Sequence, residues 1–196
     1  MKKSEKQKLK KQLLNQPQYK IANTRMKRFF ALIIDWYMTT MIASMPITLF
    51  LRTSNVLSSE MFDLSRYPQS TTMWLVLFGI FVGIIYYVFI PSYVWKGQTL
   101  GKKICKIQIT NEHGQEVTLQ AMLLRELLGS TFLEGGIVIT ASYLRNALPL
   151  FGLSPFVKPL QYIAYALTLA SIIYAYFNPL SQSFHDKIAK TIVINK

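Results

Sequence analysis

Cysteine, histidine and acidic side chains are scarce in this sequence of 196 residues. A single cysteine, Cys105, excludes a disulfide within the chain and a cluster of cysteine metal ligands. The two histidines, His113 and His185, do not belong to any spacing typical of a metal site or of a Ser/His/Asp triad. We therefore expect no enzyme activity, no bound metal and no cofactor.

Basic residues outnumber acidic ones by 22 to 9, and many of them stand near the N-terminus. Ten precede the first apolar stretch: Lys2, Lys3, Lys6, Lys8, Lys10, Lys11, Lys20, Arg25, Lys27 and Arg28. This placement is typical of the cytoplasmic flank of a membrane helix and argues against a nucleic-acid partner. We expect residues 1–27 to form a basic cytoplasmic tail. It either contacts anionic lipid headgroups or only fixes the topology.

Long apolar stretches dominate the rest of the chain. About 20 apolar residues in a helix cross a hydrocarbon core of about 30 Å. The sequence predicts an all-α membrane protein, a four-transmembrane-helix bundle with spans at about 29–51, 73–90, 120–143 and 156–177 in a membrane domain covering 28–196. Pro91 is expected to end the second span. Four spans return the C-terminus to the cytoplasmic side, where the N-terminus lies.

A small cytoplasmic β element is predicted after the second span. The isoleucine-rich alternation from Lys103 to Thr110 indicates a strand, and the β-branched residues 191–194 are its expected partner. The segment 97–103 resembles a phosphate-binding loop, but it has three residues between its glycines where that motif has four. We expect it to be a glycine turn at the membrane surface, with lysines such as Lys102 facing lipid phosphates.

Asp35 is the one charged residue between Arg28 and Arg52. It follows Arg28 on one helical stripe and lies two turns, about 10 Å, further into the span. A carboxylate at that depth costs several kcal/mol unless it is paired, hydrated or protonated. The chain must therefore supply a partner. Arg125, expected near the inner end of the third span, is the leading candidate.

Three more ionisable residues fall in or after the third span. Glu126 adjoins Arg125, and Glu134 lies towards the middle of the span. Glu134 is either a second buried carboxylate or faces the outer interface through the flexible pair Gly135-Gly136. His185 is expected to be a cap or a surface hydrogen-bonding residue.

Three motifs, in this order and spacing, resemble those of the RDD family of bacterial membrane proteins. They are Arg28-x2-Ala31-x3-Asp35, Gly97-x-Thr99-Leu100-Gly101-Lys102 and His185-Asp186-Lys187-x-Ala189-x-Thr191. Arg125-Glu126 fits as well, and the resemblance covers about residues 20–195. The resemblance implies that Arg28, Asp35 and Asp186 are the arginine and two aspartates of the family name. It also implies a multi-pass protein of the bacterial plasma membrane, often suggested to transport solutes, including by cation/proton exchange.

Two functions remain as hypotheses. In the first, the protein is a small transporter or transporter subunit, coupled to cations or protons through the intramembrane Asp35. In the second, the same residues form a polar clamp in a membrane assembly or scaffold module that does not transport. The functional cluster is predicted to be Arg28, Asp35, Arg125, Glu126 and Asp186, with Glu134, Lys102 and His185 as secondary candidates. A homo-oligomer is left open, because four helices offer little room for a pathway.

Overall fold

A computed structural model describes residues 3–14, 24–50, 64 and 67–196 of the chain. These residues are mostly helical, with one small sheet. In chain order the elements are α1 (Lys3–Leu14), α2 (Thr24–Phe50), α3 (Gln69–Ile84) with a π-helical continuation (Ile85–Val94), α4 (Leu100–Ile104), β1 (Ile107–Asn111), α5 (Leu119–Leu123) with a π-helical continuation (Leu124–Glu134), α6 (Ile139–Asn146), α7 (Val157–Phe177), α8 (Phe184–Ile188) and β2 (Thr191–Asn195). Two short 3₁₀ turns, Leu148–Phe151 and Ser154–Phe156, connect α6 to α7.

Three helices in the described part of the chain are long and apolar enough to cross a membrane: Thr24–Leu49, Gln69–Val94 and Ser154–Phe177. A fourth crossing requires Leu119–Glu134 and Ile139–Phe151 to act as one span bent by 57°. The protein is therefore a mostly helical membrane protein with three or four candidate spans. The predicted count of four is the upper of these numbers.

The third predicted span, 120–143, is wrong as a single helix, because the chain bends after Glu134. Gly135 takes a left-handed conformation with φ of 48°, which a residue without Cβ adopts readily. A Cβ there would lie 2.8 Å from the carbonyl oxygen of Thr131. Arg145 of α6 donates to the carbonyl oxygen of Gly135 at 2.6 Å and fixes the bend.

The second span is longer than predicted, and Pro91 does not end it. The helix continues to Val94 as a π-helix, in which Trp95 N donates to the carbonyl oxygen of Ile90 at 3.0 Å. Local π-helical adjustment is one way in which membrane helices tolerate a proline, whose missing N–H would otherwise interrupt the ladder. The first span also begins earlier than predicted, at Thr24.

The predicted strand pairing is confirmed, but the strand begins at Ile107 instead of Lys103, because Leu100–Ile104 form the helix α4. Strands β1 and β2 are antiparallel, with Ile109 opposite Val193. One side of this sheet packs against the membrane helices through a buried cluster: Ala31, Val88, Ile107, Ile109, Met122 and Val193. The other side holds Ile192, Ile194 and Leu180, and Leu9 of α1 packs against them. The basic N-terminal segment 1–27 thus contains a helix that packs against the sheet.

The helices pack tightly in one half of the bundle and loosely in the other. A Cβ at Gly79 would overlap the ring of Tyr143, and one at Gly83 would overlap the methyl group of Thr140, so α3 and α6 approach closely. Tyr143 also donates to the carbonyl oxygen of Ala43 at 3.0 Å, which connects α6 to α2. In α7, by contrast, the side chains other than Ser171 are partly or fully exposed. This loose packing leaves a gap between α7 and α2.

Candidate functional site

Asp35 is held by four donors from the second span and the turn that follows it. The residue is 2% exposed. Its Oδ1 accepts from the Tyr86 hydroxyl at 2.6 Å and from Gly101 N at 2.8 Å. Its Oδ2 accepts from Thr99 Oγ1 at 2.5 Å and from Lys102 Nζ at 3.4 Å. Both carboxylate oxygens are therefore satisfied without a ligand.

The start of α4 is shaped to receive this carboxylate. Thr99 is the N-cap, and its side chain accepts from Lys102 N at 3.4 Å while it donates to Asp35. A Cβ at Gly101 would overlap the carbonyl oxygen of Ala31 and lie 2.8 Å from Asp35 Oδ1. Only a glycine lets α4 approach α2 this closely, which explains why the first two motifs occur together.

Two predictions about this centre are wrong. Arg125 does not pair with Asp35; the basic partner is Lys102. Lys102 does not face lipid phosphates either, because its side chain is 15% exposed and points towards Asp35. Burial lowers the pKa of Lys102, and the carboxylate of Asp35 opposes that effect. Lys103 lies over the ring of Trp95, 4.5 Å from its centroid.

Asp186 forms a second centre and is 0% exposed. Arg28 of α2 donates to its Oδ2 and Arg125 of the third span donates to its Oδ1. Ser183 adds its backbone N–H at 3.1 Å and its hydroxyl at 2.8 Å. Burial alone would raise the pKa of Asp186, but the guanidinium groups of Arg125 and Arg28 hold it well below its usual range. This centre connects α2, the helix Leu119–Glu134 (the first arm of the bent pair, called the third span here) and the C-terminal segment.

A hydrogen-bond chain runs from Arg125 through His185 to Glu134. Arg125 Nη2 lies 2.9 Å from His185 Nε2, and His185 Nδ1 lies 2.8 Å from Glu134 Oε2. Because a guanidinium can only donate, Nε2 accepts and Nδ1–H donates to Glu134, which is the pattern of a neutral imidazole. Glu134 also accepts from Ser171 Oγ at 2.7 Å and from His185 N at 2.9 Å.

The positions of these two residues settle one open alternative and correct one prediction. Glu134 is buried and does not face an outer interface. His185 is neither a cap nor a surface residue: Ser183 and Asp186 cap α8, and the His185 ring lies between Arg125 and Glu134. Gly129 allows this arrangement: a Cβ there would lie 2.6 Å from His185 Cα, so α8 lies directly against the third span.

Glu126 differs from the other buried carboxylates. It is 4% exposed, and its Oε1 has no hydrogen-bond partner among the residues that the structure describes. Thr140 lies beside the carboxyl group, and Arg125, Lys102 and Glu134 are the charged groups that act on it. Arg125 and Lys102 are already engaged by Asp186 and Asp35.

A count of charges leads to the same residue. Among the described residues the buried carboxylates here are Asp35, Glu126, Glu134 and Asp186, and the Lys and Arg side chains that pair with Asp35 and Asp186 are Arg28, Lys102 and Arg125. The carboxylates outnumber these Lys and Arg side chains by four to three, and His185 lies between Arg125 and Glu134. Since the other three carboxylates have their donors, the surplus charge falls on Glu126, which needs a proton or a cation.

One cavity connects these groups. It has a volume of about 290 Å³ and lies between α2, the third span and α7. Its polar lining includes Asp35, Lys102, Arg125, Glu126, Glu134 and His185. Its lateral walls come from α2 and α7, where Phe29, Trp36 and Tyr176 are more than two-fifths exposed. Apolar and aromatic side chains of α2 and α7 therefore form part of the cavity wall.

Comparison with known proteins gives one match. A model of the RDD family matches residues 23–190. The chain belongs to the RDD family. No curated protein and no solved structure matches it. In this RDD protein Arg28 pairs with Asp186, whereas Asp35 pairs with Lys102.

Several residues of the two centres were missed by sequence reasoning. Thr99 and Gly101 belong to a quoted motif, so their position in it was the available signal. The sequence carried no signal for Tyr86, Ser171 and Ser183, because an isolated hydroxyl-bearing residue near the end of a span is common. Within the described residues, no group of three or more His, Cys, Asp or Glu side chains could hold a metal ion.

Proposed function

We propose that this RDD protein is a small proton-coupled transporter, or the membrane subunit of one, that works from the cavity between α2 and α7. The observation that supports this is a cavity lined by a buried carboxylate, Glu126, one oxygen of which has no hydrogen-bond partner among the described residues. A site that must hold either a proton or a cation can exchange one for the other. That exchange is the elementary step of coupled transport.

The coupling residue in this proposal is Glu126 instead of Asp35. Asp35 is surrounded by four donors, and a cation or proton arriving there would have to displace at least one of them. Glu126 has an oxygen free of protein donors. Asp35 then has a supporting role: it holds the turn containing Thr99 and Lys102 against α2, as part of the cavity wall.

Replacing Glu126 with glutamine is expected to abolish proton-coupled cation flux while the protein stays inserted. The assay uses acid-loaded proteoliposomes with an internal pH dye, to which Na⁺, K⁺ or a permanently charged organic cation is added. Wild type should release protons faster than empty liposomes with at least one of these ions. Glu116→Gln is the matched control, because Glu116 is exposed and pairs only with Lys96 at the surface. Proton release equal to that of empty liposomes with every cation would refute the proposal.

A second function, the scaffold module without transport, is favoured by a different observation. Asp186 binds Arg28 and Arg125 at once, so it fastens the C-terminal segment to two membrane helices. Buried polar networks of this kind fix a unique arrangement of helices. An intact, well-folded protein with no flux in the assay above would favour this function.

The location of the protein is also a proposal. We place it in the bacterial plasma membrane with both termini in the cytoplasm, which is supported by the basic α1 lying against the sheet and the C-terminal strand. Contact of the N-terminal lysines and arginines with anionic lipid headgroups stays a prediction, as does a homo-oligomer. The absence of enzyme activity, of a cofactor and of nucleic-acid binding also stays a prediction.

A further inference from the structure

The cavity has two features that together define a class of ligand: an unpartnered buried carboxylate oxygen and a wall of apolar and aromatic side chains. We infer that it binds a lipophilic ammonium ion, meaning a protonated amine on an apolar or aromatic body, whose N–H group donates to Oε1 of Glu126. This inference rests on the proposed function, because it names the substrate class of the same cavity.

The charge of the ligand follows from which charged side chains of the cavity already form ion pairs. The basic side chains Arg28, Arg125 and Lys102 donate to Asp186 and Asp35, so an anion would have to break one of these ion pairs. The carboxylate of Glu126 has an oxygen with no donor in the described chain. A cation with an N–H group satisfies that oxygen and balances the surplus charge, whereas a neutral donor satisfies only the oxygen.

The shape and polarity of the ligand follow from the walls. Along α2 the cavity is lined by Phe29, Leu32 and Trp36, and along α7 by Ile172 and Tyr176. Aromatic faces attract a cation within about 6 Å, and aliphatic walls favour an apolar body. A volume of about 290 Å³ is at the lower end of the range for small-molecule sites, so the ligand is small.

The entrance is bridged at one point. Arg25 donates to the carbonyl oxygen of Tyr176 at 2.8 Å, and its guanidinium carbon lies 4.6 Å from the centroid of that ring. This contact spans α2 and α7 beside the gap between them. A ligand that enters between α2 and α7 therefore passes the Arg25 guanidinium.

Binding must release a proton. In the empty cavity the Glu126 carboxyl group carries the proton that the charge count requires. When the ammonium ion enters, the carboxyl O–H bond breaks, the proton leaves to water, and the carboxylate forms an ion pair with the ligand. The groups facing Glu126 are Arg125 and Glu134 of the third span, Lys102 of α4 and Tyr87 of the second span. The three charged groups already have partners.

The test is equilibrium binding to the full chain in lipid nanodiscs at neutral pH. The probes are a naphthylalkyl dimethylamine and the uncharged alcohol of the same shape. Wild type should bind the amine about 10- to 100-fold more tightly than the alcohol, as expected for a hydrogen bond to a charged group. Glu126→Gln should remove this preference, and Glu116→Gln should retain it. A weakly buffered titration with a pH indicator should show close to one proton released per amine bound.

Equal affinity of wild type for the two probes, or an unchanged preference in Glu126→Gln, overturns the inference. If Glu126→Gln does not fold, the comparison of amine with alcohol on wild type decides alone. Failure of this inference is distinguishable from failure of the proposed function. If the protein carries a flux of Na⁺ or K⁺ but does not prefer the amine, only the assignment of the ligand class is overturned. If amine binding depends on Glu126 but no cation flux is detected, only the proposed transport function is overturned.

Discussion

Replacing Asp186 with asparagine is expected to lower the free energy of unfolding by about 3–5 kcal/mol, the cost of removing one partner from a buried ion pair. Two guanidinium groups, those of Arg28 and Arg125, lose the carboxylate between them. The asparagine amide also brings an N–H₂ group close to these donors. Denaturant unfolding in detergent micelles measures the difference from wild type. We expect the folded yield to fall in parallel.

The pH dependence of stability provides an independent check on Asp186. Its pKa in the folded protein is held well below the value of about 3.9 expected in an unfolded chain. The stabilisation is therefore fully present above pH about 4 and is lost as the pH falls through the folded pKa. Asp186→Asn should remove this acid-dependent part of the unfolding curve. As a control, Glu116→Gln at an exposed ion pair should change stability by about 0–1 kcal/mol. A similarly small effect of Asp186→Asn would show that the ion pairs of Asp186 with Arg28 and Arg125 do not stabilise the fold.

Replacing Asp35 with asparagine is expected to cost about 3 kcal/mol, because it leaves the ammonium group of Lys102 buried without a counter-charge. The additional change Lys102→Met should recover part of this loss, since it removes the charge that became unpaired while keeping an apolar stem of similar length. Lys102→Met alone should also destabilise, through the unpaired carboxylate. Detergent melting of the four proteins gives the coupling energy between the two residues.

This double-mutant cycle separates two accounts of Asp35. A coupling energy above about 1 kcal/mol supports the pair seen here. Additive effects would show that Lys102 does not neutralise Asp35. A cycle between Asp35 and Arg125 provides the matched comparison and should be additive, because Arg125 donates to Asp186. Strong coupling there would restore the pairing that the sequence suggested.

The sequence was sufficient for the outline of the fold. Apolar length predicted three membrane helices that the structure has as candidate spans. The β-branched residues predicted that residues near Ile109 pair with residues near Val193, which the structure confirms. It also predicted that a buried Asp35 must have a partner from a distant segment. These results depend on patterns within a stretch of chain, namely length, period and composition.

The choice of partner could not be predicted in the same way. Periodicity gives the depth of Asp35 and Arg125 in the bilayer, but it does not give the direction in which either side chain points across the bundle. The deciding feature was the turn containing Gly101, whose missing side chain allows α4 to reach the carboxylate. The left-handed Gly135 likewise bends the third span and places Glu134 beside His185.

The most direct test of this account is a count of protonated carboxyl groups in the folded protein. Infrared difference spectroscopy of the unliganded protein in lipid at neutral pH detects the carbonyl stretch of a protonated carboxyl group. We predict one such group, absent from Glu126→Gln and retained in Glu116→Gln. If no protonated carboxyl group is detected, or if its signal persists in Glu126→Gln, then Glu126 does not hold the surplus charge of the cluster.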